Sequence, residues 1–222
     1  MLLTVLVVVF LFGSVAALAY WKYVFPTGRI LPGLYAIRTH NNGMPMGNLF
    51  LLQIDDNDYY IAIDTGGDTA ETETGLRRLG ISSDSVIAVF ITHSHWDHIG
   101  ALRLFDNAII YTGNTENNAF PDLPHHAMAD GEIIEFSDIS VQCIYTPGHT
   151  VDHVCYLVNE KMLFAGDLFI TINDSPFEER YNKAMQLEYR KIVLGLDGVD
   201  YVFTGHFGLF KDARLYRWWF LS

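Results

Sequence analysis

The chain has 222 residues, half of them apolar and 14% aromatic, and a formal net charge of −12. That length and apolar content suit one globular domain with a substantial core and exclude a disordered chain. The acidic balance argues against nucleic acid as a partner, because gripping phosphates needs a basic surface.

From Leu2 to Tyr20 only Thr4, Gly13 and Ser14 interrupt an apolar run, and no charged side chain precedes Lys22. About twenty helical residues, rising ~1.5 Å each, span the ~30 Å hydrocarbon core of a bilayer. Trp21 and Tyr23 beside Lys22 look like an interfacial belt. Residues 1–23 are therefore expected to form a single-pass N-terminal membrane anchor. The alternative is a secretory signal cleaved at Ala17-Leu18-Ala19, but the run is long for a signal and no basic stretch precedes it. Lys22, Arg29 and Arg38 bias the following domain toward the cytoplasm too weakly to settle the side.

Residues 24–32 read as a linker and 33–222 as the folded domain. Gly33 to Arg38 is an expected strand, and Asn41-Asn42-Gly43-Met44-Pro45 a turn-rich loop. Asn48 to Ile54 and Tyr59 to Ile63 form a hairpin around Asp55-Asp56-Asn57-Asp58. That acidic tip lacks the spacing and terminal glutamate of a calcium loop. Asp68 to Leu79 reads as a helix, capped by Asp68 or Thr69 and ended by Gly80. Val86 to Ile91 is a buried strand, followed by a helix starting near Gly100 and a strand from Ala108 to Tyr111. A polar loop is expected from Gly113 to Asp130. Strands follow at Glu132 to Phe136, Ile139 to Tyr145, His153 to Val158 and Met162 to Ala165. Phe177 to Leu194 has helical periodicity, and Tyr201 to Phe203 is the last strand. Cys143 and Cys155 are expected as buried small hydrophobes, with a disulfide between them left open.

The segment Thr92-His93-Ser94-His95-Trp96-Asp97-His98-Ile99-Gly100 sets three imidazoles and a carboxylate within six residues, directly after a buried strand. Alternate residues of an extended segment point the same way, so His93 and His95 can reach one ion together. Asp97 and His98 can face a neighbouring position, and the motif alone fits one transition metal or two. Three later pieces each set a ligand-type residue beside a glycine, where the chain turns sharply. They are Thr146-Pro147-Gly148-His149-Thr150, Ala165-Gly166-Asp167-Leu168-Phe169 and Phe203-Thr204-Gly205-His206. The inventory of five histidines and two aspartates exceeds one tetrahedral zinc and suits two ions.

The His-x-His-x-Asp-His run, the later Gly-His, the Gly-Asp and the final Gly-His resemble, in this order, the metallo-β-lactamase fold superfamily of hydrolases. Ile61-Ala62-Ile63-Asp64-Thr65-Gly66-Gly67 is similar to that family's first motif, and the resemblance covers roughly residues 30 to 210. It implies an α/β (α+β) fold, an αββα four-layer sandwich, and a centre of two divalent ions, zinc by default with iron or manganese as alternatives. His93, His95 and His149 would hold one ion, Asp97, His98 and His206 the other, and Asp167 would bridge them. Asp97 would also orient the nucleophile, and Asp64 would accept the N–H of a ligand histidine. Hydroxide on a metal, available near neutral pH because the ion lowers the pKa of its water to roughly 7, would attack an ester, thioester or lactone. The second ion would stabilise the developing oxyanion.

Asp167 after a glycine resembles glyoxalase II and its relatives and counts against β-lactamase-type amide hydrolysis, which stays as the alternative. Ile170 stands where many acyl-homoserine lactonases have tyrosine, and His95 argues against the oxygen-reducing di-iron branch. Sixteen residues after His206 leave out the helical region with which glyoxalase II binds glutathione, and Asp152 before His153 departs from its pattern. The expected partner is a small-molecule or lipid-like substrate; a membrane-tethered, non-catalytic metal-binding protein is the other class. His40, His125, His126 and His153 fall outside the motifs and are expected to be surface or hydrogen-bonded, with His125-His126 nearest the mouth of the site. Phe120, Phe169, Phe177 and Tyr181 would line an apolar pocket or pack the core.

Overall fold

The computed structural model describes residues 27–113, 124–170 and 182–206 and the backbone of 209–211. The expected anchor, Phe120, Phe177 and Tyr181 lie outside these residues, and no described helix is long and apolar enough to cross a membrane. Seven strands form the first sheet: β1 (Gly28–Leu31), β2 (Leu34–Ile37), β5 (Leu49–Gln53), β6 (Tyr60–Ile63), β7 (Val86–Ile91), β8 (Ile109–Gly113) and β9 (His125–Met128). Its first four strands are antiparallel, and β6 through β9 run parallel. A two-stranded ribbon, β3 (His40–Asn41) and β4 (Met44–Pro45), lies between β2 and β5 in sequence. The second sheet orders β10 (Ile133–Phe136), β11 (Ile139–Tyr145), β12 (Val154–Val158), β13 (Met162–Phe164), β14 (Tyr201–Phe203) and β15 (Leu209–Lys211).

Side-chain alternation makes the layers. Phe50, Ile61, Ile63, Ala88 and Phe90 of the first sheet meet Val141, Cys143, Tyr156, Phe164 and Phe203 of the second. The intervening residues Leu49, Leu51, Ala62, Val89 and Ile91 face the other way, onto Leu76 of α1 (Thr69–Leu79) and Leu102 and Phe105 of a 3₁₀ turn (Leu102–Phe105). Cys155, Leu157, Leu163 and Val202 pack outward against Val193 and Leu194 of α3 (Lys183–Leu194). The order is helix, sheet, sheet, helix, so β7 is covered on both faces and reads as a nearly continuous apolar run. Phe90 anchors the inter-sheet layer, stacked on Tyr111 at 4.6 Å and edge-on to Tyr156 at 5.3 Å.

Asp68 caps α1 by accepting from Glu71 N at 2.8 Å, and Gly80 closes it at φ 71°. Besides the β3–β4 ribbon, found where a loop was expected, and β15, which follows the expected last strand, three elements differ from expectation. Residues 28–31 are an edge strand rather than linker, because Arg29 pairs with Tyr35 and Ile30 and Leu31 pack on the inter-sheet core. Within the expected polar loop, His125–Met128 forms β9 beside β8, pinned by the fully buried Met128. The helix expected near Gly100 starts earlier, as α2 (Trp96–Ile99), and carries Asp97 and His98. Cys143 and Cys155 are free. They sit on opposite faces of neighbouring strands, in different core layers. Burial pushes both thiols up to about 12, with nearby acidic groups reinforcing the rise at Cys143.

Candidate metal centre

Five loops leave the carboxyl ends of β6, β7, β11, β13 and β14 and meet at one edge of the sandwich. Parallel pairing of β6 with β7 and of β13 with β14 brings like ends together. Hydrogen bonds across the two sheets tie the edge: Val154 N donates to Thr92 O at 2.8 Å and Asn48 N to Gly205 O at 2.7 Å. Close approach needs the glycines. A Cβ at Gly205 would collide with Asp167 Oδ1 and the His98 ring, and Gly166, at φ 45°, sits against Thr92 and His153.

Two clusters result, His93, His95, His149 and Asp167 in one and Asp97, His98 and His206 in the other. Within each, one ligand-type atom per residue lies within 4.8 Å of the others. In the first, His95 Nδ1 lies 3.0 Å from His93 Nε2 and 3.1 Å from His149 Nε2. In the second, His206 Nε2 lies 3.0 Å from Asp97 Oδ2 and 3.4 Å from His98 Nε2. Asp167 sits between them: its Oδ2 is 3.4 Å from His149 and 3.3 Å from His206, and its Oδ1 is 3.4 Å from His98.

These contacts fit metal ions. Nitrogens held at about 2.0–2.1 Å by a tetrahedral zinc stand ~3.3 Å apart, close to the spacing of the first cluster. Neutral imidazoles carry one N–H each, so three converging ring nitrogens cannot all pair with one another. Asp167 Oδ1 is buried without a hydrogen-bond partner among the described residues, an acceptor with a lone pair to give.

The tautomers follow from the neighbours. Asp64, held in the left-handed region at φ 56°, accepts from Thr92 N at 2.8 Å and from Thr92 Oγ1 at 2.8 Å. Its Oδ2 lies 2.7 Å from His98 Nδ1, so that nitrogen donates and Nε2 faces the cluster. Thr92 Oγ1 donates to Asp64 and stands 3.1 Å from His93 Nδ1, which turns the lone pair of His93 Nε2 inward.

Burial holds His93 well below the usual histidine range and lowers His149 to about 4, outweighing the opposing pull of Asp167. Desolvation lowers His95 too, so the first cluster offers neutral imidazoles, the form that binds metal. At His98 burial also pulls downward, but Asp167 and Asp64 win and raise it well above its ordinary value. His206 reaches about 9, its burial outweighed by Asp167 and Asp97. Both carboxylates are lowered despite desolvation, by His206 and His98 at Asp97 and by His98 and His206 at Asp167. The second cluster therefore holds protons that a cation would displace.

A recess of about 370 Å³ opens over the centre, walled by five of the clustered side chains with Pro45 and Ile170. The spare histidines are elsewhere. His40 is exposed and 3.6 Å from Glu71 on a separate recess between α1 and Arg38; His125 is exposed on β9, and His126 pairs with Glu132 at 2.7 Å. Neither His125 nor His126 walls the recess over the centre. His153 is buried under the site, with Nδ1 2.8 Å from Thr146 Oγ1 and Nε2 accepting from Asp167 N at 3.1 Å. Phe169 packs in the core against α3. Supporting residues outside the motifs include Asp152, which accepts from Ser94 N at 2.9 Å, and Gln186, which donates to Asp167 O at 3.2 Å. Only Asp152, flagged as a departure from the glyoxalase II pattern, carried a signal in the sequence.

Fold and centre together define a mixed α/β sandwich with a His- and Asp-rich site at its strand ends. A family model of the metallo-beta-lactamase superfamily matches residues 43–206, and the chain belongs to that superfamily as one of its hydrolases. Hydroxyacylglutathione hydrolase of Rhizobium johnstonii is 33% identical over 186 residues, 82% of this chain and 68% of that protein. The enzyme of that name from Francisella philomiragia is 41% identical over 85 residues, 36% of this chain and 32% of the relative, so the chain matches only a third of its length. A B3 metallo-beta-lactamase with an active-site glutamic acid superposes with a TM-score of 0.66 at 18% identity, over 91% of this chain and 90% of that one. That likeness shows the fold.

Proposed function

We propose that the centre is a two-metal site that hydrolyses an ester, thioester or lactone, with zinc as the metal and iron or manganese as alternatives. The observation that carries this reading is Asp167, whose two oxygens reach His98, His149 and His206 across both clusters. His93, His95 and His149 would hold one ion, Asp97, His98 and His206 the other, with Asp167 shared. Bound ions would supply water activated near neutral pH and positive charge for the developing oxyanion.

The chain's own groups do the rest. Asp97 Oδ2, at the recess and 3.0 Å from His206 Nε2, is placed to accept a hydrogen from the attacking water and aim it. Asp64 keeps the proton of His98 on Nδ1, and Thr92 keeps that of His93 on Nδ1, leaving both Nε2 atoms free for coordination. Pro45 and Ile170 give the substrate an apolar wall. Relatives named for hydrolysing hydroxyacylglutathione, an acylated thiol, favour the thioester within this class. The apolar run from Leu2 to Tyr20 supports membrane anchorage, with secretion after cleavage as the alternative. Whether the protein stays in washed membranes after alkaline extraction separates these two.

The functional test is thiol release from acyl thioesters by zinc-loaded protein beside Asp167→Ala. Turnover lost with the substitution supports the reading. Equal turnover by the variant, or none by folded and metal-loaded wild type on thioesters, esters and lactones, would overturn it.

A further inference from the structure

The first turns of α3 run beneath two of the ligand-bearing loops. Asn182, its N-cap, donates from its backbone N to Gly148 O at 2.7 Å. Gly148 packs so closely on the helix that a Cβ there would lie 2.6 Å from Gln186 N. Gln186 is itself fully buried, and its Nε2 donates to Asp167 O at 3.2 Å and to Ile170 O at 2.9 Å. Four residues on and on the same face, Arg190 donates from Nε to Leu168 O at 2.6 Å, with its guanidinium 5.9 Å from the centre of the Phe169 ring.

Buried carbonyls need donors, and the turn from Asp167 to Ile170 turns three of them toward α3. A methionine would fill the volume of Gln186 but has no hydrogen to donate, whereas the uncharged amide supplies two from one nitrogen. Asp167 must reach both clusters, and Ile170 walls the recess. A ligand shared by two ions tolerates little displacement, about 0.5 Å in productive sites.

We propose that Gln186 is a positioning residue for the two-ion centre, holding the Asp167 loop in register with the His149 loop, and this rests on the two-metal reading above. Three imidazoles can keep the first ion without the shared carboxylate. The second ion, left with Asp97, His98 and His206, depends on Asp167 more.

The test is zinc binding by the full chain, read by competition with a chromophoric chelator, for wild type, Gln186→Met and Val193→Ala. Val193 lies on α3 in the outer core layer and its side chain has no hydrogen bond to give the Asp167 turn, so it reports general loosening of the helix. Gln186→Met should weaken the second zinc about 10–100-fold, the effect typical of groups that orient ligands. The first zinc should keep its affinity, and Val193→Ala should lose stability with both zincs retained. If Gln186→Met does not fold, Gln186→Asn serves: one methylene short, it cannot hold both carbonyls, and a smaller loss at the same ion is expected. Unchanged affinity of the second zinc, or an equal loss in Val193→Ala, would overturn the proposal while leaving the two-metal reading intact. A wild type that binds one zinc would remove the reading itself and the proposal with it.

Discussion

Asp64→Asn isolates the electrostatic part of the site with almost no change in shape. The carboxylate accepts from Thr92 N, Thr92 Oγ1 and His98 Nδ1 at 2.7–2.8 Å, all of them buried. An asparagine can turn its oxygen toward Thr92 N, in the place of Oδ1, or toward His98 Nδ1, in the place of Oδ2, not both. Facing Thr92, its NH₂ meets the His98 Nδ1–H donor to donor. With metal bound, the imidazole would have to give up Nε2, the nitrogen aimed at the second cluster, to its one proton; without metal, the Nδ1–H is left buried and unpaired. A charge-assisted hydrogen bond is worth about 1.5–3 kcal/mol, so the metal-free protein should lose roughly 2–3 kcal/mol, a fall of about 5–10 °C in Tm. The second zinc should weaken about 10–100-fold while the first keeps its affinity. Calorimetric melting and chelator competition read the two effects separately. Wild-type zinc affinity at both positions would refute the assignment of Asp64 as the group that fixes the His98 tautomer.

Stability of the metal-free protein should peak near pH 6.5. His149, lowered to about 4 by burial, binds a proton in the unfolded chain before it does in the folded one, so stability falls as pH drops from about 6.5 toward 4. His206, raised to about 9 against its burial by Asp167 and Asp97, contributes stability that is full below about 6.5 and lost as pH rises through 9. Urea unfolding of chelator-treated protein across this range should show both slopes, and zinc should flatten the alkaline one. Gly205→Ala should abolish binding of the second zinc, because its methyl would displace Asp167 and His98; normal zinc content would contradict that packing. Cys143 and Cys155, with thiols near 12, should resist a disulfide reagent at pH 8 in the native protein and react on unfolding.

What could be read in advance was whatever the chain keeps local. His93, His95, Asp97 and His98 are contiguous, and each remaining cluster residue sits beside a glycine that the crowded centre requires. Strands buried on both faces, such as β7, betray themselves by unbroken apolar runs. The elements that were missed are held by distant partners. β9 is His-His-Ala-Met, too polar for a strand signal, and is secured by pairing with β8 and the burial of Met128. β1 lies at a sheet edge, where half-exposed residues read as linker. Gln186 looks like any polar helix residue until its carbonyl partners arrive from 16 and 19 positions away. Thr92 supports two ligands at once through a hydroxyl whose role needs Asp64 beside it, 28 positions earlier.

The most direct test of the account is the zinc content of the folded protein, measured by mass spectrometry under native conditions, for wild type, His149→Ala and Asp167→Ala. Two ions in wild type, one held after His149→Ala, and the first held with the second weakened after Asp167→Ala are the expected result. One ion in wild type, or two retained at full affinity without Asp167, would contradict a shared centre.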